Sequence, residues 1–210
     1  MTASENDAYQ TLDSGVTAEY KVKGSRFLGF AAPVRNEEEA ELIIGNISRK
    51  FHDATHHCYA YTLGTAEKKV DRYSDAGEPP GTAGRPILES ILGRELIDVI
   101  CVVTRYFGGT KLGTGGLARA YAECANLTLE GAQIIKQYIT DTYRIVFPYA
   151  MTGSVMNLIG QYKAGIHQTV YGETTEMEIQ IRQSFADAFE RDITNATAGK
   201  IRLTRKEDRD

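Results

Sequence analysis

Hydrophobic and polar positions change period several times along the chain, and each change marks an element. Val16 to Val22 and Arg26 to Val34 read as strands interrupted at Lys23-Gly24-Ser25, in the manner of a hairpin. Ala40, Ile43, Ile44, Ile47 and Phe51 then recur at helical spacing and form one apolar stripe. Asn36 is placed to cap that helix, and Glu39 three residues later resembles the second half of a capping box. Glu37 to Glu39 lie at the positive end of the helix dipole, and Arg49 and Lys50 at the negative end. His57, Tyr59, Tyr61 and Leu63 alternate with Cys58, Ala60 and Thr62, which predicts a strand with faces of unequal bulk. The continuous apolar run Val99 to Val103 predicts a strand covered on both faces. After a glycine-rich stretch, Leu117, Tyr121, Cys124 and Leu127 return to helical spacing as far as Gly131.

Beyond residue 135 the pattern restarts. Ile139, Asp141, Tyr143, Ile145 and Phe147 share one strand face, and Val155, Leu158, Ile159 and Tyr162 one helix face that stops near Gly165. Ile166 to Tyr171 and Thr174 to Arg182 read as a hairpin about Gly172, with Met177, Ile179 and Ile181 inward. Ser184 is placed to cap a last helix carrying Phe185, Ala188 and Phe189, and Ile201 to Leu203 supplies a final strand. The order βαββαβ is the split βαβ, or ferredoxin-like, plan. The fold class is therefore mixed α/β in two domains, residues 1–135 and 136–210, of which the second is ferredoxin-like.

Composition narrows the class of partner. The 210 residues are 42% hydrophobic and 25% charged, which is the range of folded globular chains. The net charge of −4 excludes coating of nucleic acid by bulk charge, so any anion site is local. Val99 to Arg119 is such a place, with Arg105, Lys111 and Arg119 and no acid. Cys58, Cys101 and Cys124 are odd in number and lack C-x-x-C spacing, which predicts neither disulfides nor a cysteine zinc site. The N-terminus has no basic and apolar leader pattern, and no run reaches the length of a bilayer span. The chain reads as cytoplasmic, without membrane, metal or cofactor.

Two segments depart from ordinary burial patterns. Thr104 to Tyr121 contains Gly108, Gly109, Gly113, Gly115 and Gly116 between a buried strand and a helix. Glycines there admit close approach of a ligand, and the helix start offers N–H donors and positive partial charge. Arg105, Lys111 and Arg119 are candidates for phosphate contact, and Tyr106 or Phe107 for stacking on a base. Packing of helix against strand is the competing explanation of the glycines. The Walker pattern is absent, because no Lys-Ser or Lys-Thr follows the last glycine. Gly113 to Ala118 fits G-x-G-x-x-A, but it lies too late in its domain for a dinucleotide fold.

The second segment, Ser74 to Pro86, alternates glycine and proline and projects Asp75, Glu78, Thr82 and Arg85 from a fixed path. It reads either as a rigid cap on the helix that follows or as a second binding loop, with His56 as a further candidate. A metal site at His52, His56 and His57 is disfavoured, because the helix ends near His52 and the spacing no longer defines one face. Arg105 has an alternative role, facing inward to pair with Asp75 or Glu78.

The stretches DATHHCYAY, SDAGEPPGTAGRP and VVTRYFGGTKLGTGGLARAY resemble the motif blocks of the YigZ/IMPACT family, in order and at similar separation. One departure is Ala76, where the family commonly carries a second acid before Gly-Glu-Pro. The resemblance implies an N-terminal domain with the β-α fold of a small ribosomal-subunit protein and of the translocation elongation factor, followed by a ferredoxin-like domain similar to another part of that factor. It also implies a role in translation, since eukaryotic relatives regulate translation under amino-acid starvation by competing for an activator of a stress kinase. The expected function is non-enzymatic binding, with the glycine loop contacting RNA phosphate or a ribosome-bound partner. Two alternatives remain open. One is an enzyme acting on a nucleotide or phosphorylated metabolite, with His56, Asp75 or Glu78 moving protons. The other is a protein-interaction module built on both loops.

Overall fold

The structure is a computed structural model that describes residues 7–65 and 69–206. Contacts divide the chain into two units, one holding Tyr9–Gln137 and the other Tyr138 onward together with the described residues Asp7 and Ala8. Both are mixed α/β, and the five-stranded and four-stranded main sheets are antiparallel. No helix among the described residues is long and apolar enough to cross a membrane.

The first unit opens with a short strand, β1 (Ala8–Leu12), followed by β2 (Val16–Val22) and β3 (Ser25–Pro33). β2 and β3 meet in register with Val22 opposite Ser25. The two residues between them, Lys23 and Gly24, both take positive φ, 46° and 79°. That is the backbone of a two-residue hairpin turn whose twist matches the strands. The helix α1 (Glu37–Lys50) begins as its residues predict, with the Asn36 side chain accepting from the Glu39 N–H at 2.8 Å. The Glu39 carboxylate accepts from the Arg35 N–H, one residue before the cap. β4 (His56–Leu63), β5 (Val70–Ser74), α2 (Gly84–Leu92), β6 (Val99–Tyr106) and α3 (Thr114–Glu130) follow, and β7 (Ile134–Tyr138) pairs with β1 in a separate ribbon.

The main sheet has the order β2-β3-β6-β4-β5. Its central strand β6 is covered on both faces, as its apolar run predicts: Ile100 and Val102 pack in the layer beneath α1, whereas Val99, Cys101 and Val103 pack with α2 and α3. Gly29 on β3 lies so close to α3 that a Cβ would fall 1.9 Å from the Thr128 hydroxyl. All three cysteines are buried free thiols in this unit, and burial pushes the Cys58 and Cys124 thiols up to about 12.

The second unit runs β8 (Thr140–Pro148), α4 (Thr152–Gln161), β9 (Gly165–Val170), β10 (Thr174–Arg182), α5 (Ala186–Ala196) and β11 (Arg202–Lys206). The sheet order β11-β8-β10-β9 is the ferredoxin-like arrangement. Tyr143, Ile145, Phe147, Met177, Ile179 and Ile181 point from the sheet into a core shared with Val155, Ile159, Phe189 and Ile193. Ser184 departs from its expected role, since its side chain caps nothing and α5 starts after a 3-10 turn at Gln183–Phe185. The Ser184 backbone N–H donates instead to the Asp7 carboxylate, which also accepts from Arg182 at 2.6 Å. A distant acid replaces a local cap.

The Arg182 hydrogen bond chiefly holds the buried Asp7 carboxyl down, against its burial, from the ordinary 3.8 to about 2. A depressed carboxyl contributes stability that is complete above its unfolded pKa and lost as the pH falls through its folded pKa. Unfolding of the second unit should therefore become easier between about pH 4 and 2. Urea titrations at several pH values should show that component vanish in Asp7→Asn.

Candidate functional site

The glycine-rich segment leaves β6 after Tyr106 and enters α3 at Thr114. Its five glycines are not equivalent. Gly108 abuts the β2–β3 turn so closely that a Cβ would lie 1.8 Å from the carbonyl carbon of Gly24, and its N–H donates to the Ser25 hydroxyl. Gly108 is therefore a packing glycine whose N–H is already engaged by Ser25. Gly116 is half-buried, with a Cβ position 3.1 Å from the Leu112 side chain. Gly109 and Gly113 have φ of +82° and +73°, which require glycine, and both face open space. Gly115 has neither reason: its φ is not in the left-handed region, and nothing but the Arg119 guanidinium lies within 4 Å of its Cβ position.

The start of α3 has no acidic residue and no side-chain cap, with Gly113 at the cap position. Lys111 and Arg119 are exposed, and neither has an ion pair among the described residues. Nearby Arg26 and Lys21, by contrast, are both engaged with Glu19.

Arg105 and Tyr106 take other places than expected. Side chains alternate along β6, so these two leave on opposite faces. Tyr106 points to the α1 side, where its hydroxyl donates to Asp53 at 2.8 Å, away from the start of α3. The exposed Phe107 is the aromatic that remains free to stack, with its ring over the Arg105 guanidinium. Arg105 itself is 5% exposed and donates to Glu78 at 2.5 Å. It also reaches the Ser25 hydroxyl that receives Gly108, while its Nε has no partner. This is the inward-facing alternative, and Arg105 is not available as a surface phosphate ligand.

The second loop is held from below. The Asp75 carboxylate accepts from the backbone N–H groups of Gly81, Ala83 and Gly84 at 2.8 to 2.9 Å. Burial alone would raise that carboxyl, but these three bonds outweigh it and leave it below its ordinary value. Glu78 is buried and accepts from both Arg105 and the Tyr121 hydroxyl, and the Cys58 thiol donates to the Asp75 carbonyl. Thr82 bonds the Pro79 carbonyl, His56 pairs through Nδ1 with the Ala76 carbonyl, and the exposed Arg85 pairs with Glu89 one turn along α2. Asp75, Glu78, Thr82 and His56 thus fasten the loop to the sheet and to α2, rather than projecting toward a substrate. Arg85 stands apart from them at the surface. The sequence reading missed Ser25, Cys58 and Tyr121 as members of this network, because their partners lie far away in the chain.

Fold and loops together define a two-unit α/β protein whose first unit is organised around a glycine loop and an acid-anchored proline loop. The model of the Impact N-terminal domain matches residues 23–129, and that of DUF1949, a domain of unknown function, matches residues 145–200. The chain is 33% identical over 193 residues to the IMPACT family member YvyE of Bacillus subtilis, covering 92% of this chain and 88% of that one. It is 29% identical to the IMPACT family member YigZ of Escherichia coli, covering 90% and 93% of the two chains. It is also 30% identical to the protein IMPACT homolog of Dictyostelium discoideum over 57% of this chain and 33% of that one. A solved structure titled as the crystal structure of a hypothetical protein superposes with a TM-score of 0.74 at 27% identity, covering 97% of this chain and 99% of that one. The chain belongs to the IMPACT family.

Proposed function

We propose that this protein is a non-enzymatic binding protein of the translation apparatus that acts in the cytoplasm and contacts RNA phosphate through Gly109, Gly113, Gly115, Lys111 and Arg119. The observation that carries this reading is Gly115, a residue with no internal reason to be glycine at a helix start without a side-chain cap, flanked by two cations that have no ion pair among the described residues. Backbone N–H groups at such a start favour an anion, and the absence of a Cβ lets one approach. Membership of the IMPACT family supports the link to translation. The net charge of −4 sets the scale, since few phosphate contacts give weak, salt-sensitive binding. The catalytic alternative receives no support from the second loop, where Asp75, Glu78 and His56 are bonded to loop backbone and to Arg105.

Fluorescence anisotropy of a labelled oligoribonucleotide tests this. Gly115→Val should leave the fold intact, because nothing but the flexible end of the Arg119 side chain lies within 4 Å of its Cβ position, yet lower affinity by about tenfold or more through loss of charge-assisted N–H contacts. Unchanged affinity would remove the helix start from the site.

A further inference from the structure

Beside the glycine loop lies a groove of about 400 Å³, formed between β2 with its turn and one face of α3. This is within the size range of sites for small organic ligands. Tyr20 and Val22 form one wall, and Leu112, Gly116 and Ala120 the other, so the body of the groove is apolar with one aromatic side. Its ends differ in charge. Lys23 sits in the turn that packs on Gly108, and the Arg119 guanidinium folds back toward Gly115, so both cations gather at the loop end. Neither has an acidic partner among the described residues. Glu123 is the acid lining the groove, two turns further along α3 from Gly116, or about 10 Å along the axis.

An occupant that matches this polarity has an anion at one end, a flat apolar body and hydrogen-bond donors at the other end. The geometry points to a purine nucleotide, specifically a guanosine phosphate, seated with its phosphate at Gly116, Lys23 and Arg119 and its base beside Tyr20. Guanine presents two adjacent N–H donors on its pairing edge, and the Glu123 carboxylate can accept both, as paired donors and acceptors do in base recognition. Adenine presents an acceptor at the same position and is disfavoured. The apolar wall packs against one side of the ring, and the exposed carboxylate selects the base. The seat takes either a free nucleotide or one unit of an RNA strand, and it rests on the loop being the anion site proposed above.

The test compares GMP, AMP, guanosine, inorganic phosphate and labelled oligoribonucleotides with and without guanine. Wild type should bind GMP on the order of tenfold tighter than AMP. Glu123→Ala should abolish that preference while leaving inorganic phosphate binding unchanged, and Arg119→Ala should weaken GMP, AMP and phosphate together. A guanine preference seen only in oligoribonucleotides identifies the RNA strand as the source, and one seen with GMP as well identifies the free nucleotide. Equal binding of guanine-containing and guanine-free strands that responds to Arg119→Ala but not to Glu123→Ala would overturn the guanine seat and leave the anion site standing. Failure of wild type to bind any phosphate-bearing ligand would overturn both.

Discussion

Arg105→Ala is expected to lower the unfolding free energy of the first unit by about 3 to 5 kcal/mol, the range for removing one partner of a buried ion pair. The side chains of Arg105 and Glu78 are 6% and 4% exposed, so the remaining carboxylate would stay buried with the Tyr121 hydroxyl as its remaining donor among the described residues. The guanidinium also reaches the Ser25 hydroxyl, which receives the Gly108 N–H, so its loss loosens both loops together. Urea denaturation read in the first unit measures this. Replacing both partners by apolar residues should cost less than either single change, since no buried charge is left behind. A loss below about 1 kcal/mol for Arg105→Ala would show that the pair does not anchor the loops.

Asp75→Ala should destabilise the same unit by about 2 to 4 kcal/mol, because three backbone donors lose a charged acceptor and two of them open α2. Asp75→Asn keeps one carbonyl acceptor and should lose less. The folded carboxyl lies below its ordinary value, so this contribution is complete above the unfolded pKa and disappears as the pH falls through the folded one. Wild type and Asp75→Ala should therefore converge in strong acid. Hydrogen exchange should also rise locally at Gly81, Ala83 and Gly84 in the variant, and protection equal to wild type would contradict the assigned role.

What the sequence revealed follows the range of the interactions involved. The Asn36 cap, the turn at Lys23 and Gly24, and the two-sided burial of Val99 to Val103 depend on neighbours within a few residues, and each is visible as spacing. β5 is not, since Val70-Asp71-Arg72-Tyr73-Ser74 is a polar edge strand with no alternation to detect. β1 and β7 pair with each other from opposite ends of the first unit, a relation that no local pattern reports. Asp7 reaches Arg182 and Ser184 across most of the chain, which is why Ser184 was a plausible cap and is not one. At the candidate site, the run of glycines was legible as a whole, but not its division into Gly108 for packing, Gly109 and Gly113 for φ, and Gly115 with the Arg119 guanidinium beside its Cβ position. That division depends on the β2–β3 turn, which meets the loop only in three dimensions. The outward or inward choice at Arg105 turned on strand parity and on the position of Glu78, and neither is fixed by the motif itself.

Phosphate binding at the loop is tested most directly by the salt dependence of oligoribonucleotide affinity in wild type and in the Lys111→Ala, Arg119→Ala double variant. Each cation that neutralises a phosphate on a single strand contributes about 0.7 to the slope of log affinity against log salt. The double variant should therefore lose about 1.4 from that slope, and its affinity at low salt should drop sharply with the fold unchanged. Wild-type and double-variant proteins that bind RNA, ribosomes and nucleotides equally, with the same slope, would contradict the anion site and leave recognition of a protein partner by the two loops as the better reading.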